Sequence, residues 1–342
     1  MNDQHVDYLD GWRGLAILFL LIGHFFPIPG INFGRVGVDF FFVLSGFLMC
    51  RLLFIKEVPI TTFYQRRISR IFPAFFSFVI VVLIYFFLTG KLIDWAETGV
   101  ASLFLNNYFP GKVGHAVMPF GHIWSLSVEE HTYIFLTLVA VVVRKQYLTA
   151  RLALAIAVAV SVVLGLSYWM LFPAQKLEFE LWAHSEISAY GILFSGLLLL
   201  CLQKVKIPVL PVLVYPVLIV FGLMCYWWSM PIPLRGFIGV GLFAVVLNIL
   251  STAPAIVKRC LSWWPLKTLG LWSFSIYLWQ QVFYLAHHRD GLSAIIALVL
   301  AIVCGIASYY LIENPVRHWL NERWANPAPL HGWSKVMSND VK

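Results

Sequence analysis

The chain has 342 residues, of which 61% are hydrophobic and 12% charged, with a mean hydropathy of +0.83. A soluble domain carries about 25% charged residues and about half apolar ones, so the composition excludes an ordinary soluble protein and predicts a polytopic membrane protein. The net charge of +8 would suit a nucleic-acid partner, but the basic residues lie where membrane topology puts them, and nucleic acid is excluded.

The opening "MNDQHVDYLD" is acidic, and no small-residue cleavage site follows it, so the first helix is expected to be retained rather than removed as a signal peptide. Apolar runs fall at roughly 12–28, 36–55, 71–89, 122–143, 152–172, 187–202, 209–228, 235–250, 268–286 and 292–311, which predicts ten spans. The stretch Thr98 to Phe109 is shorter and holds Asn106 and Asn107. If it does not span and the N-terminus is cytoplasmic, Arg66, Arg67, Arg70, Arg144, Lys145, Arg151 and the basic tail are cytoplasmic. Arg35, Lys91, Lys112, Lys176, Arg235 and Arg289 are then outside. Placing that stretch in the membrane would turn Arg144, Lys145 and Arg151 outward and undo the bias. The expectation is an all-α transmembrane bundle of about ten spans with both termini cytoplasmic. It forms one domain over residues 1–342, with spans over about 12–311, an outer loop at 90–121 and a short tail at 312–342.

Span one, "YLDGWRGLAILFLLIGHFF", carries Arg13 and His24. Eleven residues at 100° each return within roughly 20° of a whole turn, so both share one face, about 16 Å apart along the axis. Ionisable groups rarely persist in lipid without a role. Snorkelling to the headgroups is the plain alternative for Arg13, and a backbone hydrogen bond for His24. Span two, "RVGVDFFFVLSGFLM", adds Asp39 and then Ser45-Gly46, which reads as close helix packing. Val43 stands where a hydrolase elbow needs glycine, so Ser45 is not a nucleophile. Span three starts with "FYQRRISRIFPAF", where Arg67 and Arg70 share a face with Arg66 beside them. Such a cluster anchors the membrane interface, or clamps the phosphates of a cytoplasmic ligand.

Span four, "GHIWSLSVEEHTYIFL", sets Glu129, Glu130 and His131 at the depth inferred for His24. Two adjacent carboxylates are expected to turn apart, one into the bundle, where it would orient the imidazole as a general base requires. Which of the two faces His24 is not fixed by spacing. The loop "AQKLEFELWAHSE" mixes acids and aromatics as a sugar-binding rim would. "FSIYLWQQVF" puts Gln280 and Gln281 inside span nine, and His287 and His288 follow in an outer loop. "YYLIENPVRHW" closes the last span, with Glu313 and Pro315 marking a helix end. The five cysteines show no paired spacing and no metal-ligand pattern, so no metal is expected.

In this order, "YLDGWRGLAILFLLIGHF", "GVDFFFVLSGFLM", "RRISRIFPAF", "WSLSVEEHTYIF", "SFSIYLWQQVF" and "IENPVR" resemble the acyltransferase 3 family of integral-membrane acyltransferases along nearly the whole chain. The resemblance implies transfer of an acyl group, usually acetyl from cytoplasmic acetyl-CoA, to a hydroxyl of a cell-surface or exported glycan, lipid-linked glycans included. It makes His24 the catalytic histidine with Arg13 as its motif partner, Glu130 the motif glutamate, and Arg67 and Arg70, with Arg66 beside them, the grip on the coenzyme phosphates. Glu129, Asp39, Trp124, Ser127 and Gln280 are further candidates. Many members have His at the position of Gln280, and many carry a fused extracytoplasmic domain that this chain does not show. The family implies the bacterial inner membrane. No tightly bound cofactor is expected, since acyl-CoA is a donor substrate. The competing reading is a carrier of a lipid-linked saccharide or small anion using the same polar residues as a relay, and a third is a membrane scaffold or sensor.

Overall fold

The computed structural model describes residues 6–109, 118–172 and 182–325. Lys112, Lys176, most of the acidic-aromatic loop and the end of the tail lie outside the described residues. Among those described there are helices and no strands. The helices are α1 (Asp7–Phe25), α2 (Phe33–Cys50), α3 (Ile60–Leu88), α4 (Trp95–Ser102), α5 (Trp124–Arg144), α6 (Ala150–Leu171), α7 (Tyr190–Leu202), α8 (Val214–Met224), α9 (Val240–Ile249), α10 (Ala255–Leu261), α11 (Trp264–Asp290), α12 (Ala294–Ser308) and α13 (Asn314–Ala325).

The protein is a polytopic helical bundle. Seven stretches are long and apolar enough to cross a membrane: Phe33–Ile55, Ile60–Leu88, Gly121–Arg144, Ala150–Leu171, Ser185–Leu202, Leu234–Thr252 and Ala294–Ala325. Three further expected spans are present as helices outside that group. The 19-residue α1 carries Asp7, Asp10 and Arg13, the 27-residue α11 ends in His287, His288 and Arg289, and α8 has only 11 residues. At Thr98–Phe109 the helix stops at Ser102. Its eight residues reach about 12 Å, far short of a bilayer's hydrocarbon core.

Two expectations are corrected. The last span does not end at Glu313. A π-helical turn, Tyr309–Glu313, carries the helix on into α13 as far as Ala325. The wide turn absorbs the hydrogen bond that Pro315 cannot donate. Ser69 Oγ donates to Asn321 Oδ1 at 3.0 Å and ties this extension to α3. His287 and His288 are not in a loop either. They lie in the last turn of α11, with their Nδ1 atoms 2.6 Å from the Leu292 carbonyl and 3.0 Å from that of Tyr284.

The core is arranged around α1, which packs between α2 and α11. Trp12 Nε1 donates to the Phe40 carbonyl at 3.0 Å, and the two rings stack at 4.5 Å. The Ser45-Gly46 pair does pack closely: a Cβ at Gly46 would sit 2.0 Å from the Ile192 carbonyl oxygen, so α2 and α7 touch backbone to backbone. A sheath of exposed Leu, Ile, Val and Phe on α3, α6 and α12 faces away from this core, as a lipid-facing surface requires.

Candidate active site

Two cavities open within the bundle, one toward each end of α1. The first, of about 210 Å³, is lined by Arg13, by Arg66, Arg67 and Arg70 from α3, and by Glu129 and Tyr133 from α5. The second, of about 610 Å³, is lined by His24, by Arg35 and Asp39 from α2, and by His122 and Trp124 where α5 begins. Val38 of α2 and Tyr277 of α11 line both, so the cavities meet at these two side chains. The shared helix face that spacing predicted for Arg13 and His24 therefore presents one residue to each cavity.

His24 has a defined partner. Its Nδ1 lies 2.7 Å from Oε1 of Gln280, a residue with no exposed surface. An amide oxygen only accepts, so the proton sits on Nδ1 and Nε2 keeps its lone pair. The Gln280 amide nitrogen is in turn 3.5 Å from Gln281 Oε1, which is consistent with that orientation. The Nε2 edge looks toward Gly34, where a Cβ would come within 3.1 Å of it. Tyr284 packs against the imidazole face at 4.7 Å.

The glutamates do not orient His24. Arg67 reaches Glu130 Oε1 at 2.7 Å and Glu129 Oε2 at 3.4 Å, and its guanidinium lies 3.5 Å above the Tyr133 ring. Ser45 Oγ and Tyr133 OH complete the shell of Glu129 at 2.9 and 3.0 Å. The two carboxylates were expected to turn apart, yet one planar fork with several donors holds both. Glu129 lines the arginine cavity and both acids contact Arg67 of α3, not His24. Arg67 is committed to this ion pair. Arg66 and Arg70 make no side-chain hydrogen bond or ion pair among the described residues, and Arg13 is held by Asp10 at 2.5 Å.

In the second cavity Asp39 is buried and accepts from Arg35 Nε at 3.0 Å and Tyr226 OH at 2.7 Å. The Arg35 guanidinium sits 4.9 Å over the Trp124 ring. Ser127 is in neither cavity; its hydroxyl donates back to the Ile123 carbonyl at 3.1 Å. His131 is also elsewhere, with Nδ1 2.7 Å from Ser185 Oγ. Among the described residues no group of three or more His, Cys, Asp or Glu could hold a metal ion.

Tyr277, His122 and Arg35 also line the cavities. Tyr277 OH lies 2.6 Å from Ser125 Oγ and donates to the His122 carbonyl at 2.5 Å, which fixes the point where the cavities meet. Each belongs to a quoted motif, but none stands out by spacing, because what unites them is the contact between helices.

The arrangement sets the His24 imidazole in one compartment and a basic lining in the other, with Val38 and Tyr277 lining both. A family model described as an acyltransferase domain, that of acyltransferase 3, matches residues 6–314. Among curated proteins the chain is similar to the O-acetyltransferase OatA of Staphylococcus aureus, 24% identical over 350 residues. It is also similar to the peptidoglycan O-acetyltransferase OatA of Listeria monocytogenes, 26% identical over 365 residues. These alignments cover 92% of this chain but only 58% and 56% of the relatives, so the chain spans little more than half of their length. BcsY of Komagataeibacter xylinus, named as a membrane-bound transacylase, is 27% identical over 90% of this chain and 81% of its own length. No solved structure matches the chain.

Proposed function

The chain belongs to the acyltransferase 3 family, and from that premise we propose that it is a membrane-embedded O-acyltransferase. It moves an acyl group, acetyl as the leading case, from acyl-CoA to a hydroxyl of a glycan presented at the membrane. The observation that carries this reading is the meeting of the two cavities at Val38 and Tyr277, with His24 in one and the arginines in the other.

The donor enters the arginine cavity. Its phosphates take Arg66 and Arg70, whose guanidiniums form no ion pair within 4 Å among the described residues, with Arg13 deeper along α1. Arg67, locked between Glu129 and Glu130, shapes the wall and holds α3 against α5. The pantetheine arm spans toward Val38 and Tyr277, a reach of about 16 Å between the levels of Arg13 and His24. The acceptor saccharide occupies the histidine cavity, where Trp124 offers a ring face and Arg35 and Asp39 offer polar contacts. His24 Nε2 takes the proton of an acceptor hydroxyl, the oxygen attacks the thioester carbonyl, and the carbon–sulfur bond breaks to release CoA thiolate. General base catalysis of this kind contributes about 10² to 10⁴-fold. Gln280 holds the tautomer that leaves Nε2 free. An acyl-histidine relay uses the same lone pair in two steps.

The charge bias supports ten spans with both termini and the arginine cavity on the cytoplasmic side. The relatives are bacterial, which supports a bacterial membrane, and the cytoplasmic membrane is the location proposed. A carrier is the second reading, since two cavities divided by a pair of side chains also suit alternating access.

The test is CoA release from acetyl-CoA by purified protein in lipid vesicles, with an N-acetylglucosamine trisaccharide as acceptor. The enzyme reading predicts release that His24→Ala abolishes while the variant stays folded. Movement of the saccharide across the vesicle without CoA release would favour the carrier.

A further inference from the structure

His122 lines the same cavity as His24, yet among the described residues its ring has no hydrogen-bond partner. The residue is 6% exposed, and both ring nitrogens are buried without a hydrogen bond. Among the described residues it is the one side chain with two such atoms. A buried polar group left unpaired costs about 1–3 kcal/mol, and native structures carry few of them. Packing does not call for a polar ring here. Phe78 meets the imidazole edge-on at 5.7 Å and Tyr277 lies tilted at 5.1 Å, an environment that would accept a phenyl ring equally well.

The proposed transfer has one requirement that His24 cannot meet. When the acceptor oxygen adds to the thioester, the carbonyl oxygen becomes an oxyanion and needs a donor, and His24 is occupied as the base. Removing one such donor typically costs about 10² to 10³-fold in kcat. His122 is positioned for this task. It stands beside Tyr277, whose hydroxyl is bonded to the His122 carbonyl, and Tyr277 is one of the two side chains where donor and acceptor cavities meet. A thioester arriving from the arginine cavity emerges there.

We propose that His122 is a second catalytic histidine, whose ring N–H binds the acyl carbonyl oxygen and stabilises the oxyanion as the acceptor attacks. The assignment rests on the acyltransferase reading. The neutral imidazole always has one N–H to donate, so no proton is gained or lost at His122. The proton from the acceptor goes to His24, and the electron pair leaves with the CoA sulfur. The incoming carbonyl supplies the partner that the free protein lacks.

The experiment compares wild type, His24→Ala, His122→Phe and His122→Gln in the acetyl-CoA release assay, with thermal melting of each protein in detergent. His122→Phe keeps the ring shape and removes the unpaired nitrogens, so it should melt at or above the wild-type temperature. Its kcat should fall about 10² to 10³-fold, with the KM for acetyl-CoA little changed. His122→Gln retains an N–H donor and should recover part of the loss. A His122→Phe protein with wild-type kcat, beside an inactive His24→Ala, would overturn the proposal and leave the acyltransferase reading intact. If His122→Phe does not fold, His122→Gln decides: a folded Gln variant no more active than His24→Ala overturns the donor role. No CoA release by folded wild type would defeat both ideas together.

Discussion

Gln280 Oε1 lies 2.7 Å from His24 Nδ1, joining α11 to α1 inside the bundle. The bond turns a histidine that sequence spacing merely locates into one with an assigned tautomer, its lone pair on Nε2. Gln280→Leu keeps the volume and removes the acceptor. The ring is then free to rotate or change tautomer, and kcat should fall by about 10²-fold with the melting temperature held close to wild type. Gln280→Glu, which still accepts from Nδ1–H, should lose less. Steady-state kinetics on the two variants checks the order.

Gly34 guards the other edge of the same ring. A Cβ there would lie 3.1 Å from His24 Nε2 and Cδ2. Gly34→Val should therefore block approach of an acceptor hydroxyl while leaving the arginine cavity untouched. The expected outcome is normal acetyl-CoA binding by calorimetry and a severe loss of transfer.

Arg67 sits at 11% side-chain exposure between carboxylates at 14% and 15%. Arg67→Met would leave two part-buried acids facing each other, and breaking one side of a fully buried pair costs about 3–5 kcal/mol, an upper bound here. A large fall in melting temperature is expected. Adding Glu129→Gln and Glu130→Gln to the same protein removes the stranded charges and should restore much of the loss, which thermal melting in detergent measures.

Arg70 should behave differently, because among the described residues no carboxylate lies within ion-pair distance of it. Arg70→Ala should raise the KM for acetyl-CoA with little change in melting temperature, and Arg66→Ala should do the same to a smaller degree. If Arg67→Ala raised KM without destabilising the protein, the division of labour among the three arginines would be wrong.

Much of the helical layout was legible in the sequence, because apolar runs act along one chain. The shared face of Arg13 and His24 was legible for the same reason: a period of 3.6 residues fixes it. Partnerships between helices were not. The motif glutamates looked like the natural mates of His24, since a carboxylate beside an imidazole is a common arrangement. The packing of α5 against α3 instead pairs them with Arg67, and the amide of Gln280 takes their place beside His24. His122 was invisible for a related reason. Its significance lies in lacking a partner, and only the packed structure reveals that. Pro315 misled locally: it reads as a helix stop, whereas the π-helical turn before it lets the helix continue.

The most direct test of the account asks whether an acyl group passes between the two cavities. Protein inserted in one orientation in sealed vesicles would receive radiolabelled acetyl-CoA on the side of Arg66 and Arg70, with an N-acetylglucosamine trisaccharide trapped on the side of His24. The account predicts label on the trapped saccharide, at a rate that His24→Ala abolishes and Arg70→Ala lowers at limiting donor. Label appearing on the saccharide only when donor and acceptor share one side would contradict it.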